Sequence, residues 1–163
     1  MSESKTPGQT TRRQVLAGAG ALLGVSIQLV QPASAQLQAN PAALAIAIRK
    51  VVGEAEPKKG KVTLDVPPLS ENGNSVPMIV TVDSPMTKDN YVKAIHVFTE
   101  KNPQPQVISA RFGPRAGKAV LQTRIRLADT QSVIAIAELS DGTFWTDTAD
   151  VIITLGACLE DTP

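Results

Sequence analysis

From residue 61 to residue 153 the chain never holds a helical period. Short runs rich in valine, isoleucine and threonine are cut at roughly ten-residue spacing by turn formers, which is the pattern of a sheet built from many short strands. The runs cover 61–66, 76–82, 91–99, 106–112, 119–127, 132–139 and 143–153. Within them, side chains alternate between two faces, as a pleated strand requires. Val62, Leu64 and Val66 alternate with polar neighbours. Tyr91, Lys93, Ile95 and Val97 fall opposite Val92, Ala94, His96 and Phe98, and Leu121, Thr123, Ile125 and Leu127 fall opposite Gln122, Arg124 and Arg126. Asp141-Gly142, between the last two runs, is a two-residue hairpin signal. Only one segment has a helical period, so the expected fold is mainly β, an antiparallel sandwich with a short N-terminal helix, and not a parallel α/β sheet.

That segment starts at Asn40, a good N-cap, with Pro41 suited to the first helical position. Leu44, Ile48, Val51, Val52 and Ala55 then recur at helical spacing, which predicts an amphipathic helix of about 14 residues. The charged stretch 54–60, with Pro57 and Gly60, is expected to end it.

Ahead of the helix, Thr11-Arg12-Arg13-Gln14-Val15-Leu16 is a twin-arginine pattern. A small, moderately apolar run and the cleavage-type sequence Ala33-Ser34-Ala35 follow it. Gly18, Gly20, Gly24 and Gln28 interrupt that run, which argues against a membrane anchor. The expectation is export to the periplasm by the twin-arginine route, with a mature protein beginning near Gln36. The chain then divides into a signal peptide (1–35), a helix and linker (36–60), a β-sandwich (61–154) and a C-terminal tail (155–163).

Removing the signal takes away three of the 16 basic residues and one of the 15 acidic ones, leaving 13 and 14. Roughly 128 residues remain, enough for one domain with a core, and their near-neutral balance gives no reason to expect nucleic acid or a membrane surface as partner. Three phenylalanines, one tyrosine and one tryptophan make no aromatic platform. The sequence has no metal-ligand cluster, phosphate loop or catalytic triad, so neither cofactor nor metal is expected. His96, the only histidine, falls mid-strand, where a packed ring is the default and a base for a thiol is the sharper alternative. Arg124 and Arg126 share a strand face and could attract an anion, or simply be solvated.

Cys158, the only cysteine, follows the last strand on a tail, with Gly156-Ala157 before it and Glu160-Asp161-Thr162-Pro163 at the chain's end. In an oxidising compartment a lone cysteine cannot staple its own fold, so it pairs with another molecule, is protected, or reacts. Gly156 and Ala157 supply flexibility, and the five residues from Thr154 to Cys158 could carry the sulfur about 15 Å beyond the last strand.

Several turn and strand-edge segments together make a more specific pattern: Asp65-Val66-Pro67, Glu71-Asn72-Gly73-Asn74-Ser75-Val76-Pro77, Asp83-Ser84-Pro85-Met86-Thr87, Asn102-Pro103-Gln104-Pro105, Thr123-Arg124-Ile125-Arg126-Leu127-Ala128 and Leu139-Ser140-Asp141-Gly142. In these the chain resembles SoxY, the sulfur-carrier subunit of the thiosulfate-oxidising Sox system, from about Ala43 to Cys158. The resemblance implies an immunoglobulin-like sandwich and a heterodimer with a SoxZ-like subunit that travels with it. It also implies a tail cysteine, here Cys158, that covalently holds sulfur anions while enzymes of the SoxAX, SoxB and SoxCD kinds act on them.

The family tail reads Gly-Gly-Cys-Gly-Gly. Here only Gly156 and Cys158 match it, while Ala157, Leu159 and Glu160 depart from it and Asp161-Thr162-Pro163 extends it. Leu159 thickens the tip, and the carboxylates of Glu160 and Asp161 are expected to raise the thiol's pKa above the usual value of about 8.5 and to repel anionic sulfur compounds. Three functions stay open at this point: a sulfur carrier, a SoxY-like scaffolding module that no longer carries sulfur, and a thiol redox enzyme. The last lacks a Cys-x-x-Cys pair or any resolving cysteine.

Overall fold

The computed structural model describes residues 39–156. The twin-arginine segment, Ala157 and Cys158 therefore lie outside the described residues. Helix α1 spans Pro41–Val52, with the Asn40 side chain accepting from the Ala43 N–H at 3.0 Å. It ends earlier than expected. Gly53, at φ 64°, caps it with its N–H on the Arg49 carbonyl, so Ala55 falls outside.

Nine strands follow: β1 (Lys58–Lys59), β2 (Val62–Asp65), β3 (Leu69–Ser70), β4 (Val76–Val82), β5 (Val92–Thr99), β6 (Gln106–Arg111), β7 (Ala119–Ile125), β8 (Gln131–Leu139) and β9 (Phe144–Ile153). The longer seven are the expected runs, β4 at the expected bounds and the others shifted at one or both ends by a residue or two. The two short ones were not foreseen. β1 falls in the stretch expected to be a breaker, and β3 in the loop after Pro67-Pro68. Both pair parallel to β9. Two residues carry too little alternation to mark a strand, and only the exposed edge of β9 calls them into one.

One sheet runs β1-β9-β8-β5-β6, with β3 also on β9, and the other runs β2-β4-β7. All pairings among the longer strands are antiparallel. The main core lies between the sheets and is filled by Val76, Met78 and Val80 from β4, Ile95 and Val97 from β5, and Val133, Ala135, Ala137 and Leu139 from β8, among others. β4 is central, yet it contains Pro77. β2 reaches only to Ile79, so at Pro77 β4 has a neighbour on one side alone, where a missing N–H is tolerated.

A second, smaller core lies on the outer face of the large sheet. There Leu44 and Val52 of α1 cover Phe98 and Ile136. The fully buried Phe98 makes α1 part of the fold, since burying such a side chain contributes roughly 1.5–3 kcal/mol.

β5 corrects the strict alternation expected of it. Its register with β8 slips between Val92 and Ala94, so Val92 joins Ile95 and Val97 in the inner core. Lys93 forms an ion pair with Glu138 at 3.2 Å. A bulge of this kind places two residues opposite one and resets the faces beyond it.

Candidate functional site: the root of the tail

β9 delivers the chain to a crowded exit. Beyond Ile153, the Thr154 N–H donates to the Ser70 carbonyl (3.2 Å) and the Thr154 hydroxyl to the Glu71 carbonyl (3.2 Å). The Leu155 carbonyl accepts from the Gly73 N–H at 2.7 Å. The Gly73 carbonyl in turn accepts from the Leu127 N–H at 2.8 Å, so one turn, 70–75, clamps the tail to the stretch after β7.

Asn102 closes the ring. Its Nδ2 donates to the Arg126 carbonyl (2.8 Å), and its Oδ1 accepts from the Ala128 N–H (3.0 Å) and from Gln131 Nε2 (3.0 Å). Gln131 is almost fully buried and accepts from the Lys101 N–H at 2.8 Å, so its amide is used at both ends. The Lys101 ammonium reaches Asp129 at 3.1 Å. Its hydrogen bond, then that of the Thr130 N–H, holds the Asp129 carboxyl below the usual range. Asn40, the helix cap, joins the same end through its N–H on the Glu100 carbonyl.

Gly156 is the one predicted site residue within the described chain, and its glycine has another cause than freedom. A Cβ there would collide with the Ala128 carbonyl oxygen and crowd its carbon at 3.2 Å. Only glycine allows the tail to lie this close to the 127–129 backbone. The arm expected to leave at Thr154 therefore leaves no earlier than Gly156, because Thr154 and Leu155 are hydrogen-bonded down. Cys158 follows Gly156 by two positions, a span of at most about 7 Å.

Arg124 lies in β7, whereas Arg126 lies just beyond it, so the pair does not share one strand as expected. Both still line the same groove, of about 400 Å³, with Asn102, Gln104, Gln106 and Ile108. The groove opens between β6 and β7, each an edge strand of its sheet. Arg124 Nη1 donates to Ser75 Oγ at 3.2 Å and lies 3.4 Å from the Ser75 carbonyl.

His96 is a packed strand residue, half-buried on the outer face of β5. Gln106 Nε2 lies 3.3 Å and Ser109 Oγ 2.7 Å from its Nδ1. Burial lowers its pKa, Arg111 lowers it further, and Glu138 opposes them.

Residue-by-residue reading missed Gly73, Asn102, Ala128 and Gln131 as parts of one site. The only signal for the first three was that Glu71–Pro77, Asn102–Pro105 and Thr123–Ala128 all carry the SoxY-like pattern, and Gln131 had none. Three turns, separate in sequence, meet at the tail's root.

A family model described as sulfur oxidation protein SoxY matches residues 48–158, ending on the cysteine. Among solved structures, the sulfur carrier protein SoxY from Chlorobium limicola f thiosulfatophilum is similar over 71% of this chain and all of its own, at 25% identity and a TM-score of 0.59. A superoxide reductase (neelaredoxin) from Ignicoccus hospitalis is similar over 58% of this chain and 80% of its own, at 12% identity and a TM-score of 0.52, a likeness of fold alone. No match was found among curated proteins.

Proposed function

This chain belongs to the SoxY family of sulfur oxidation proteins, and from that premise we propose that it is a periplasmic sulfur carrier whose cargo is bound covalently to Cys158. The observation that carries the reading is that the family match runs to residue 158 and so includes the lone cysteine. The sandwich holds the root of the tail, and the thiolate forms a reversible bond to sulfur for other proteins to act on. A general base from this chain is not needed for that role. Joining the thiol to thiosulfate removes two electrons, so loading by thiosulfate requires a partner enzyme that accepts them.

The same reading includes export by the twin-arginine route and a heterodimer with a SoxZ-like subunit, with enzymes of the SoxAX, SoxB and SoxCD kinds as transient partners. Apolar strand surface left exposed at Leu69 and Ile152, which face each other across β3 and β9, supports a docked subunit. Co-expression and size exclusion test the pairing, and two separate monomer peaks at micromolar concentration would count against it. Amino-terminal sequencing of the soluble periplasmic protein tests export, with a start near Gln36 expected.

The departure of Ala157, Leu159 and Glu160 from Gly-Gly-Cys-Gly-Gly favours a second reading, a scaffolding module without cargo. Replacing Leu159 and Glu160 by glycine separates the two. A carrier already loads as wild type and loads faster after the change. A scaffold loads only after it.

A further inference from the structure

We propose that Asn72 is a self-modification site gated by the root of the tail. While the root is seated the side chain is preserved, and when the root opens the Gly73 amide converts it to aspartate and isoaspartate. No thiol chemistry is involved, so this stands apart from the carrier reading. Asn72-Gly73 is the one Asn-Gly pair in the chain. Glycine has no side chain to hinder attack of its own nitrogen on the preceding carboxamide, whereas the prolines after Asn40 and Asn102 have no N–H to lose.

The turn keeps the two reacting groups in opposite conditions. Asn72 is exposed, and its Oδ1 accepts from the Asn74 N–H at 2.9 Å. Negative charge builds on that same oxygen when the carboxamide carbon is attacked, so the donor is already in place for it. The Asn72 main-chain carbonyl accepts from Ser70 Oγ (3.2 Å) and from the Ser75 N–H (3.4 Å), which polarises the peptide unit and makes its N–H, that of Gly73, more acidic. The nucleophile, by contrast, is withheld. Gly73 is buried, and its N–H donates to the Leu155 carbonyl at 2.7 Å. A proton so bonded is shielded from hydroxide until the bond opens. The acceptor belongs to the tail, so the tail is the block. At Asp141-Gly142, the other labile pair, the Gly142 N–H donates at 3.1 Å to Leu139 in its own turn, and opening of the tail leaves it closed.

Once Leu155 lifts, hydroxide takes the Gly73 amide proton and the nitrogen attacks Asn72 Cγ. The carboxamide nitrogen leaves as ammonia with a proton from water, and a five-membered succinimide remains. Water opens it at either carbonyl, giving aspartate or isoaspartate at position 72 with no change of oxidation state. Isoaspartate adds a methylene to the main chain ahead of Gly73, so the Gly73 N–H and carbonyl no longer meet Leu155 and Leu127 together. The clamp then does not re-form, and the opening of the root becomes permanent.

The test ages folded wild type and Gly156→Ala at mildly alkaline pH and follows position 72 by peptide mapping with electron-transfer fragmentation, which separates aspartate from isoaspartate. Deamidation is expected to run about tenfold faster in Gly156→Ala, in step with amide exchange at Gly73, while isomerisation of Asp141 keeps its wild-type rate. Thr154→Val, which removes the hydroxyl's bond to the Glu71 carbonyl and leaves Gly156 intact, is expected to give a rise of about threefold. In urea all three proteins are expected to react at a common rate, faster than any folded form. The isoaspartyl form, separated by ion exchange, is expected to lose exchange protection at Leu127 and keep it at Gly142. Folded wild type that reacts as fast as the unfolded chain would overturn the proposal. So would Gly73 exchange that rises without faster deamidation, an equal acceleration at Asp141, no acceleration in either variant, or isoaspartyl protein that still protects Leu127.

Discussion

Where β8 turns into β9, closure is local: Asp141 Oδ1 accepts from the Thr143 N–H (2.8 Å) and hydroxyl (2.7 Å), and Gly142 takes the positive φ of 80° that a tight hairpin demands. Those hydrogen bonds, the hydroxyl's first and then the N–H's, hold the Asp141 carboxyl below its usual range, with Lys61 lowering it further. Lys61 lies 4.8 Å over the Trp145 ring near the same end. At the other end local hydrogen bonds, such as the Asn74 N–H on Asn72 Oδ1, shape each turn, but long-range ones join the turns to each other. The turn 70–75, Asn102, Leu127-Ala128 and Gln131 are far apart in sequence, and each hydrogen-bonds another around the departing tail. The hairpin turn itself rests on Asp141, Gly142 and Thr143, although Ser140 beside it also bonds Asp89 and Tyr91. The tail end depends on long-range contacts, so one substitution there disturbs several loops at once.

That contrast can be broken experimentally. The largest effect is expected from Asn102→Ala, which removes three hydrogen bonds and leaves the Ala128 N–H and one of the two Gln131 amide hydrogens without a partner, the other still donating to the Asp129 carbonyl, at a cost of about 2–4 kcal/mol in urea unfolding. A loss below about 0.5 kcal/mol would mean that the ring around the tail is not cooperative. Gly142→Val, at the hairpin end, is expected to cost about 1–2 kcal/mol through backbone strain, with no change in hydrogen exchange at Gly73. Exchange that rises at Gly73 in this variant would erase the distinction between the ends.

Gly156→Ala is expected to cost about 1 kcal/mol or less globally, because the chain end can move off Ala128. Its signature is local: the Gly73 N–H loses protection as its bond to Leu155 opens. Unchanged protection there would contradict the close-approach account of this glycine.

The smallest effect is a pH dependence. Burial lowers the His96 pKa below 6.5 in the folded state, so the unfolded chain binds more protons in that range, and stability falls as pH drops through 6.5 towards the folded value. Thermal unfolding of wild type against His96→Gln between pH 7.5 and about pH 5 should show a shallower acid loss in the variant. Parallel curves would remove His96 as the cause.

Legibility in the sequence divides along the same line. The hairpin end was readable because Asp141-Gly142 is a local signal, and β4 was placed at its observed bounds because Val76–Val82 alternates cleanly between turn residues. β1 and β3 were invisible because a strand of two residues exists only through its partner. The face reversal at Val92 was invisible for a related reason, since the bulge at Lys93 depends on β8, where Glu138 meets the lysine. At the tail end, Arg124 and Arg126 were recognisable as a pair, but Gly156 was read as flexible because sequence does not show the Ala128 carbonyl beside it. Asn102 looked like an ordinary residue before proline. Its three hydrogen bonds lie 24 to 29 residues away along the chain.

The carrier role itself is tested most directly by intact-mass analysis after incubation with thiosulfate and a cognate oxidising cytochrome. The account predicts a sulfur adduct confined to the peptide containing Cys158 and abolished by Cys158→Ser. Wild-type protein that stays unmodified, while a version with the Gly-Gly-Cys-Gly-Gly tail loads readily, would contradict it.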